Sequence, residues 1–149
     1  MILDCREFKS TAGITEADIA KRLMDYGFHA PTLSFPVHGT LMVEPTESES
    51  KPELDRFIQA MTDIHGDIRE LEKGHSETGN SVLRNAPHTA AMVVTDSWEN
   101  NYSREKAAFP LPWVRENKFW PAAGRINDAY GDRNLVCSCE PIGEYRDRS

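Results

Sequence analysis

The stretch SKPELDRFIQAMTDIHGDIRELEKG at residues 50–74 contains the clearest structural signal in the chain. Its apolar side chains recur at spacings of three and four, which places them on one face of a helix. Ser50 is a favoured N-cap, Glu53 completes a capping box with it, and Pro52 is tolerated in the first turn. The pattern predicts an amphipathic helix of about six turns that ends near Gly74.

A second helix is predicted from Thr15, its N-cap, with Asp18 as the capping-box partner and Gly27 as the left-handed stop. Three strand segments accompany the two helices. They are a strand from Leu3 to Phe8, a short edge-like piece around Leu33–Phe35 and a buried strand from Thr40 to Glu44. The order strand–helix–strand–helix, with mixed elements after it, predicts an α/β or α+β domain.

The second half of the chain is less regular. Residues 75–88 are polar and rich in turn formers, which predicts a surface loop. A short apolar run at 90–95 fits a strand or a short helix equally well. After Tyr102, alternating aromatic residues and prolines favour compact irregular structure. Three last elements are predicted: a helix over 121–130, a turn at 131–132 and a terminal strand over 135–139.

Composition limits the kinds of partner. The 149 residues are 39% hydrophobic and 28% charged, with a formal net charge of −7. We expect one domain over 1–149 with a flexible tail at 143–149, and the strand at the very start suggests a piece of a larger protein. The negative charge disfavours nucleic acid and anionic lipid surfaces. No apolar run approaches the ~20 residues that cross a bilayer, so a soluble domain is predicted.

The cysteines are Cys5, Cys137 and Cys139, an odd number without a secretory signal, which favours a reducing compartment. On one strand, Cys137 and Cys139 would point to the same face. Three interpretations stay open for this pair: an ordinary buried thiol pair, a shared soft ion, or a redox role with a cysteine elsewhere in a larger protein. No second cysteine pair stands at zinc-site spacing, so no metal site is predicted.

Polar residues crowd both ends of the strand predicted at 40–44. Such crowding is what a ligand-facing edge needs, but acids at 47 and 49 also suit the start of the following helix. Arg104 could project as an anion clamp, or could lie in a solvated turn or ion pair. No nucleophile elbow, phosphate loop or metalloprotease motif is present. The ligand-facing candidates are His38, Thr40, Glu44, Thr46, Glu47 and Ser48.

Several strings have a specificity that no general physical rule explains. They are KRLMDYGFHAPT at 21–32, HGTLMVEPTESE at 38–49, SREKAAFPLPW at 103–113, NKFWP at 117–121 and YGDRNLVC at 130–137. In this order they resemble the C-terminal end of the glycine decarboxylase P-proteins, the pyridoxal-phosphate subunits of glycine cleavage systems. The resemblance runs from about residue 2 to about residue 141, although the chain is too short to be the whole enzyme.

The resemblance implies the C-terminal small domain of a fold-type I pyridoxal-phosphate enzyme, in which a helix-backed small sheet packs against the large cofactor domain. Such enzymes decarboxylate glycine and pass the aminomethyl group to the lipoyl arm of the H-protein. The implied partners are the large pyridoxal-phosphate domain, lipoylated H-protein and glycine, within a homo-oligomer. The implied location is the cytoplasm of a bacterium or the mitochondrial matrix of a eukaryote.

The resemblance also implies that the lysine anchoring pyridoxal phosphate lies outside this chain. In that family this lysine follows a histidine in an upstream domain, and no lysine here follows a histidine. We therefore expect no catalytic residue and no bound cofactor in the chain, which should be inactive alone. The six candidates above would help to wall the active-site channel.

Two alternatives stay open, a free-standing α/β ligand-binding module and a redox-responsive interaction domain that uses Cys137 or Cys139. The resemblance further implies that aromatic side chains would find partners on the large domain. An isolated chain should then expose apolar surface and associate through it. The aromatic residues concerned are Phe109, Trp113, Phe119 and Trp120.

Overall fold

The structure, a computed structural model, describes residues 1–75 and 77–136. A small antiparallel sheet consists of β1 (Ile2–Asp4), β2 (Thr32–Leu33) and β3 (Thr40–Met42), in the order β1-β3-β2. In its register, Leu41 of the central strand lies opposite Leu3 on one side and Leu33 on the other. The sheet and the helices packed on it form an α+β domain, as the sequence predicts.

Helices are the main regular structure of the described chain. They are α1 (Arg6–Thr11), α2 (Glu16–Asp25), α3 (Lys51–Glu72), α4 (Val82–Asn85), α5 (Ala90–Val94), α6 (Arg104–Ala108), α7 (Pro112–Glu116) and α8 (Asp128–Arg133), with a 3₁₀ turn at Thr78–Asn80. In the part of the chain that the structure describes, none of these helices has both the length and the apolar character to cross a membrane.

The core lies between the sheet, α2, α3 and α4. Leu41 from the sheet, Leu23 from α2 and Leu83 from α4 have no exposed surface, and Ile64 and Ile68 of α3 are 1% exposed. These side chains belong to one continuous apolar cluster. The C-terminal half of α3 therefore supplies the buried face of that helix, whereas Ile58 near its start is 60% exposed.

Both predicted helix starts are confirmed. The Thr15 backbone N–H donates to Asp18 Oδ2 at 2.8 Å, which is one half of the capping box at α2. At α3 the Ser50 hydroxyl accepts from the Glu53 backbone N–H at 3.4 Å. The Glu53 carboxylate accepts instead from Arg56 at 2.6 Å, so an ion pair within the helix takes over that side chain.

The strand predicted from Leu3 to Phe8 is too long. β1 ends at Asp4, and α1 begins at Arg6. The carboxylate of Asp4 accepts from the Arg6 backbone N–H at 3.0 Å and from the Arg6 guanidinium at 2.9 and 2.6 Å. This local bonding turns the backbone into a helix, which alternation of polarity alone does not reveal.

The surface loop predicted for residues 75–88 is wrong for its second half. A 3₁₀ turn and α4 occupy this segment, and Leu83, Ala86 and His88 have no exposed surface. Its polar residues bond within the domain: the Asn85 side-chain amide, for example, donates to Asn80 at 2.9 Å and to Asn100 at 3.1 Å. The polarity of this segment therefore reflects internal hydrogen bonding at several positions, and it does not make the whole segment a surface loop.

Three predictions near the C-terminus also need correction. Residues 121–127 are not helical, and α8 includes the predicted turn at 131–132. The Asn127 side chain accepts from the Tyr130 backbone N–H at 3.0 Å, so the helix starts late. Leu135 and Val136 are not in a strand, whereas 137–139 and the tail at 143–149 lie outside the described residues. The ambiguous run at 90–95 is the helix α5.

Most of the aromatic side chains expected to be exposed find partners within the chain. Phe109 packs edge-on against Trp120 with ring centroids 5.8 Å apart. Trp113 lies 6.2 Å from Phe28 and receives the Arg56 guanidinium over its ring at 4.4 Å. Only Phe119 of the four named side chains is strongly exposed, at 70%.

Two glycines should respond oppositely to alanine. Gly39 has φ +79°, and an added Cβ would lie 2.5 Å from Arg6 Cγ, so Gly39→Ala should lower the free energy of unfolding by about 1–2 kcal/mol. Gly66 is exposed inside α3 with nothing within 4 Å, so Gly66→Ala should raise it by about 0.5–1 kcal/mol. Urea unfolding followed by circular dichroism measures both, and shifts of the same sign would contradict the two backbone assignments.

Candidate functional site

The most concentrated group of functional side chains is a buried charged cluster formed by Arg22, Asp25 and His88. All three have no exposed surface. Arg22 Nη1 donates to Asp25 Oδ2 at 2.8 Å. His88 donates its backbone N–H to Asp25 Oδ1 at 2.7 Å, and its ring Nδ1 lies 2.8 Å from Asp25 Oδ2. Because the carboxylate can only accept, Nδ1 carries the proton.

Secondary structure positions each member of the cluster. Arg22 and Asp25 lie one turn apart on α2, at its C-terminal end. His88 follows the buried Ala86–Pro87 segment after α4. Arg22 also donates to the carbonyl oxygens of Ala107 at 2.9 Å and Lys106 at 2.8 Å, in the last turn of α6. The cluster thus joins α2, the segment after α4 and α6.

The chain of hydrogen bonds continues outward to Tyr102. His88 Nε2 lies 2.8 Å from the Tyr102 hydroxyl, and the two rings meet edge to face at 5.6 Å. With Nδ1 protonated, Nε2 accepts a hydrogen bond from the Tyr102 hydroxyl. Burial raises the pKa of Tyr102 to about 12, so this phenol stays protonated at neutral pH. The Asp25–His88–Tyr102 hydrogen bonds therefore suit a structural role better than the activation of Tyr102 as a nucleophile.

Electrostatics agree with that assignment. Burial alone would lower the pKa of Arg22, but the adjacent Asp25 carboxylate holds it above its ordinary value. Arg22 therefore stays charged inside the domain. A buried ion pair with this many hydrogen bonds is costly to break, because either partner alone would be an uncompensated charge.

A second buried carboxylate, Asp18, anchors the later part of the chain. Its Oδ1 accepts from Arg125 Nη1 at 2.7 Å, and its Oδ2 lies 3.3 Å from Arg84 Nη1. Arg125 also donates to the carbonyl oxygens of Ala86 and Leu83, each at 3.0 Å. One arginine thus ties the segment after Pro121 to both α2 and α4.

Lys118 lies at the edge of the same cluster. Its Nζ donates to the Asp25 carbonyl oxygen at 2.6 Å and sits 5.0 Å from the centre of the Trp120 ring. Burial lowers the pKa of Lys118 to about 8, against an ordinary value of 10.5. The protonated form therefore costs stability at neutral pH, whereas the neutral amine keeps its hydrogen bond.

This lowered pKa predicts a pH dependence. Between pH 8 and 10.5 the unfolded chain binds one more proton at Lys118 than the folded chain does, so stability from this group should rise with pH in that window. After allowance for partial exposure, the gain should be on the order of 1 kcal/mol. Urea unfolding of the wild type and of Lys118→Met at pH 7 and pH 10 measures it. If the difference in free energy of unfolding between the wild type and Lys118→Met is the same at pH 7 and pH 10, the prediction is contradicted.

Of the six positions predicted to face a channel, one is buried and five are exposed. Thr40 is 2% exposed, and its hydroxyl donates to the Val37 carbonyl oxygen at 2.6 Å, so it stabilises the turn before β3 and does not reach the surface. The other five are exposed: His38 precedes β3, and Glu44, Thr46, Glu47 and Ser48 follow it. They lie at opposite ends of one strand. The hydroxyls of Thr46 and Ser48 are 2.5 Å apart.

The remaining sequence candidates have simpler positions. Arg104 donates to the carbonyl oxygens of Thr95 and Asp96, at 2.6 and 3.1 Å, and stacks over Trp98, so it is not an anion clamp. Cys5 is buried, which raises its pKa to about 11. Cys137 and Cys139 lie outside the described residues. Within 1–75 and 77–136, no group of three histidine, cysteine or acidic residues is placed to hold a metal.

Within residues 1–75 and 77–136, the charges that line the cavity between α3, α6 and α7 do not fit pyridoxal phosphate. This surface cavity, of about 710 Å³, has four carboxylates and two cations in its lining. Both cations are paired with carboxylates of the same cavity, Lys106 with Asp67 at 2.6 Å and Arg115 with Glu105. A phosphate there would meet net negative charge. The half-buried Lys118 is held by a backbone carbonyl and does not line this cavity.

Comparison with known proteins is consistent over nearly the whole chain. The family described as glycine dehydrogenase, C-terminal domain, matches residues 1–88. Proteins named glycine dehydrogenase (decarboxylating) are 59% identical in Bdellovibrio bacteriovorus, over 97% of this chain and 15% of that protein, and 62% identical in Dechloromonas aromatica, over 98% and 15%. The protein of that name in Flavobacterium johnsoniae is 63% identical over 97% and 15%.

The chain spans about 15% of the length of these curated relatives. The family match covers more than half of the chain, including the sheet, α2, α3, α4 and the buried residues Arg22, Asp25 and His88. The chain therefore belongs to the family of glycine dehydrogenase C-terminal domains.

Proposed function

We propose that this chain works as the C-terminal domain of a pyridoxal-phosphate enzyme that decarboxylates glycine and passes the aminomethyl group to the lipoyl arm of an H-protein. The observation that carries the proposal is 59–63% identity, over 97–98% of the chain, to proteins named glycine dehydrogenase (decarboxylating). Since those proteins are several times longer, the reactive centre would belong to the remaining polypeptide. This chain would contribute shape and contacts.

We assign a positioning role to the exposed segments that flank β3. His38 on one side and the segment 44–48 on the other present polar groups to the surface, while Thr40 and Leu41 between them are buried. A strand fixed in the core is a rigid support for two such loops. In the complete enzyme these loops would face the active-site channel, with Thr40 holding the turn that carries His38.

Partners follow from the same proposal. The large pyridoxal-phosphate domain would cover part of this chain, and Phe119, 70% exposed, is a suitable contact for it. Lipoylated H-protein and glycine would reach the channel, and the parent would form a homo-oligomer. The relatives are bacterial, which supports a cytoplasmic location.

The proposal is tested by measuring release of labelled carbon dioxide from carboxyl-labelled glycine. The purified chain, supplied with pyridoxal phosphate and lipoylated H-protein, should release none above the protein-free blank. A complete relative, such as the one from Dechloromonas aromatica, serves as the positive control in the same assay. Glycine decarboxylation by the chain alone would contradict the assignment of the reactive centre to the remaining polypeptide.

A further inference from the structure

We draw no further inference here: the strongest candidate, the exposed apolar surface patch around α8 formed by Ile126, Tyr130, Leu135 and Val136, carries nothing because nothing in the part of the chain that the structure describes shows what covers it.

Discussion

Asp25→Asn is expected to lower the free energy of unfolding by about 3–5 kcal/mol. The substitution preserves shape but removes the carboxylate that pairs with the fully buried Arg22. It also turns an amide NH₂ toward groups that are themselves donors, the Arg22 guanidinium and the two N–H groups of His88. Urea unfolding followed by tryptophan fluorescence measures the change.

The matched control is Asp55→Asn. Asp55 also pairs with a basic residue of its own helix, Lys51 at 2.5 Å, but its side chain is 47% exposed. The control should change stability by no more than about 0.5 kcal/mol. If the two substitutions lower the free energy of unfolding equally, burial does not explain the contribution of the Arg22–Asp25 pair to stability.

Leu83→Ala is expected to cost about 2–5 kcal/mol, because it opens a cavity where a side chain with no exposed surface now packs. Leu135→Ala makes the same chemical change at a side chain that is 85% exposed, and should stay within about 0.5 kcal/mol of the wild type. The pair is measured by thermal and urea unfolding. A small effect of Leu83→Ala would contradict the buried position of Leu83. It would then favour the surface loop that the sequence pattern predicts for residues 75–88.

The parts of the fold that the sequence predicts are those with local causes. The start of α2 depends on Thr15 and Asp18, three residues apart, and the stop after it on Gly27, whose φ is +83°. Local capping and turn rules do not predict the structure of segment 75–88, because several of its polar side chains bond to distant parts of the chain. His88 meets Asp25 across 63 positions, a separation that no spacing rule covers.

The candidate site shows the same division. Sequence alone identifies the polar residues around β3, and five of the six are exposed, but only the structure shows that Thr40 is buried in the turn. The cluster of Arg22, Asp25 and His88 was missed because each residue is ordinary in its local context. The signal available was a pair of opposite charges three apart on α2, near the apolar stripe of that helix, and it does not predict the histidine.

The most direct test of the central claim is a domain exchange. The segment of the Bdellovibrio bacteriovorus protein that matches this chain, 145 residues at 59% identity, is replaced by this chain, and glycine decarboxylation is measured with pyridoxal phosphate and lipoylated H-protein. The account predicts activity within about threefold of the unmodified relative. A hybrid that is folded and binds pyridoxal phosphate, yet does not decarboxylate glycine, would contradict it.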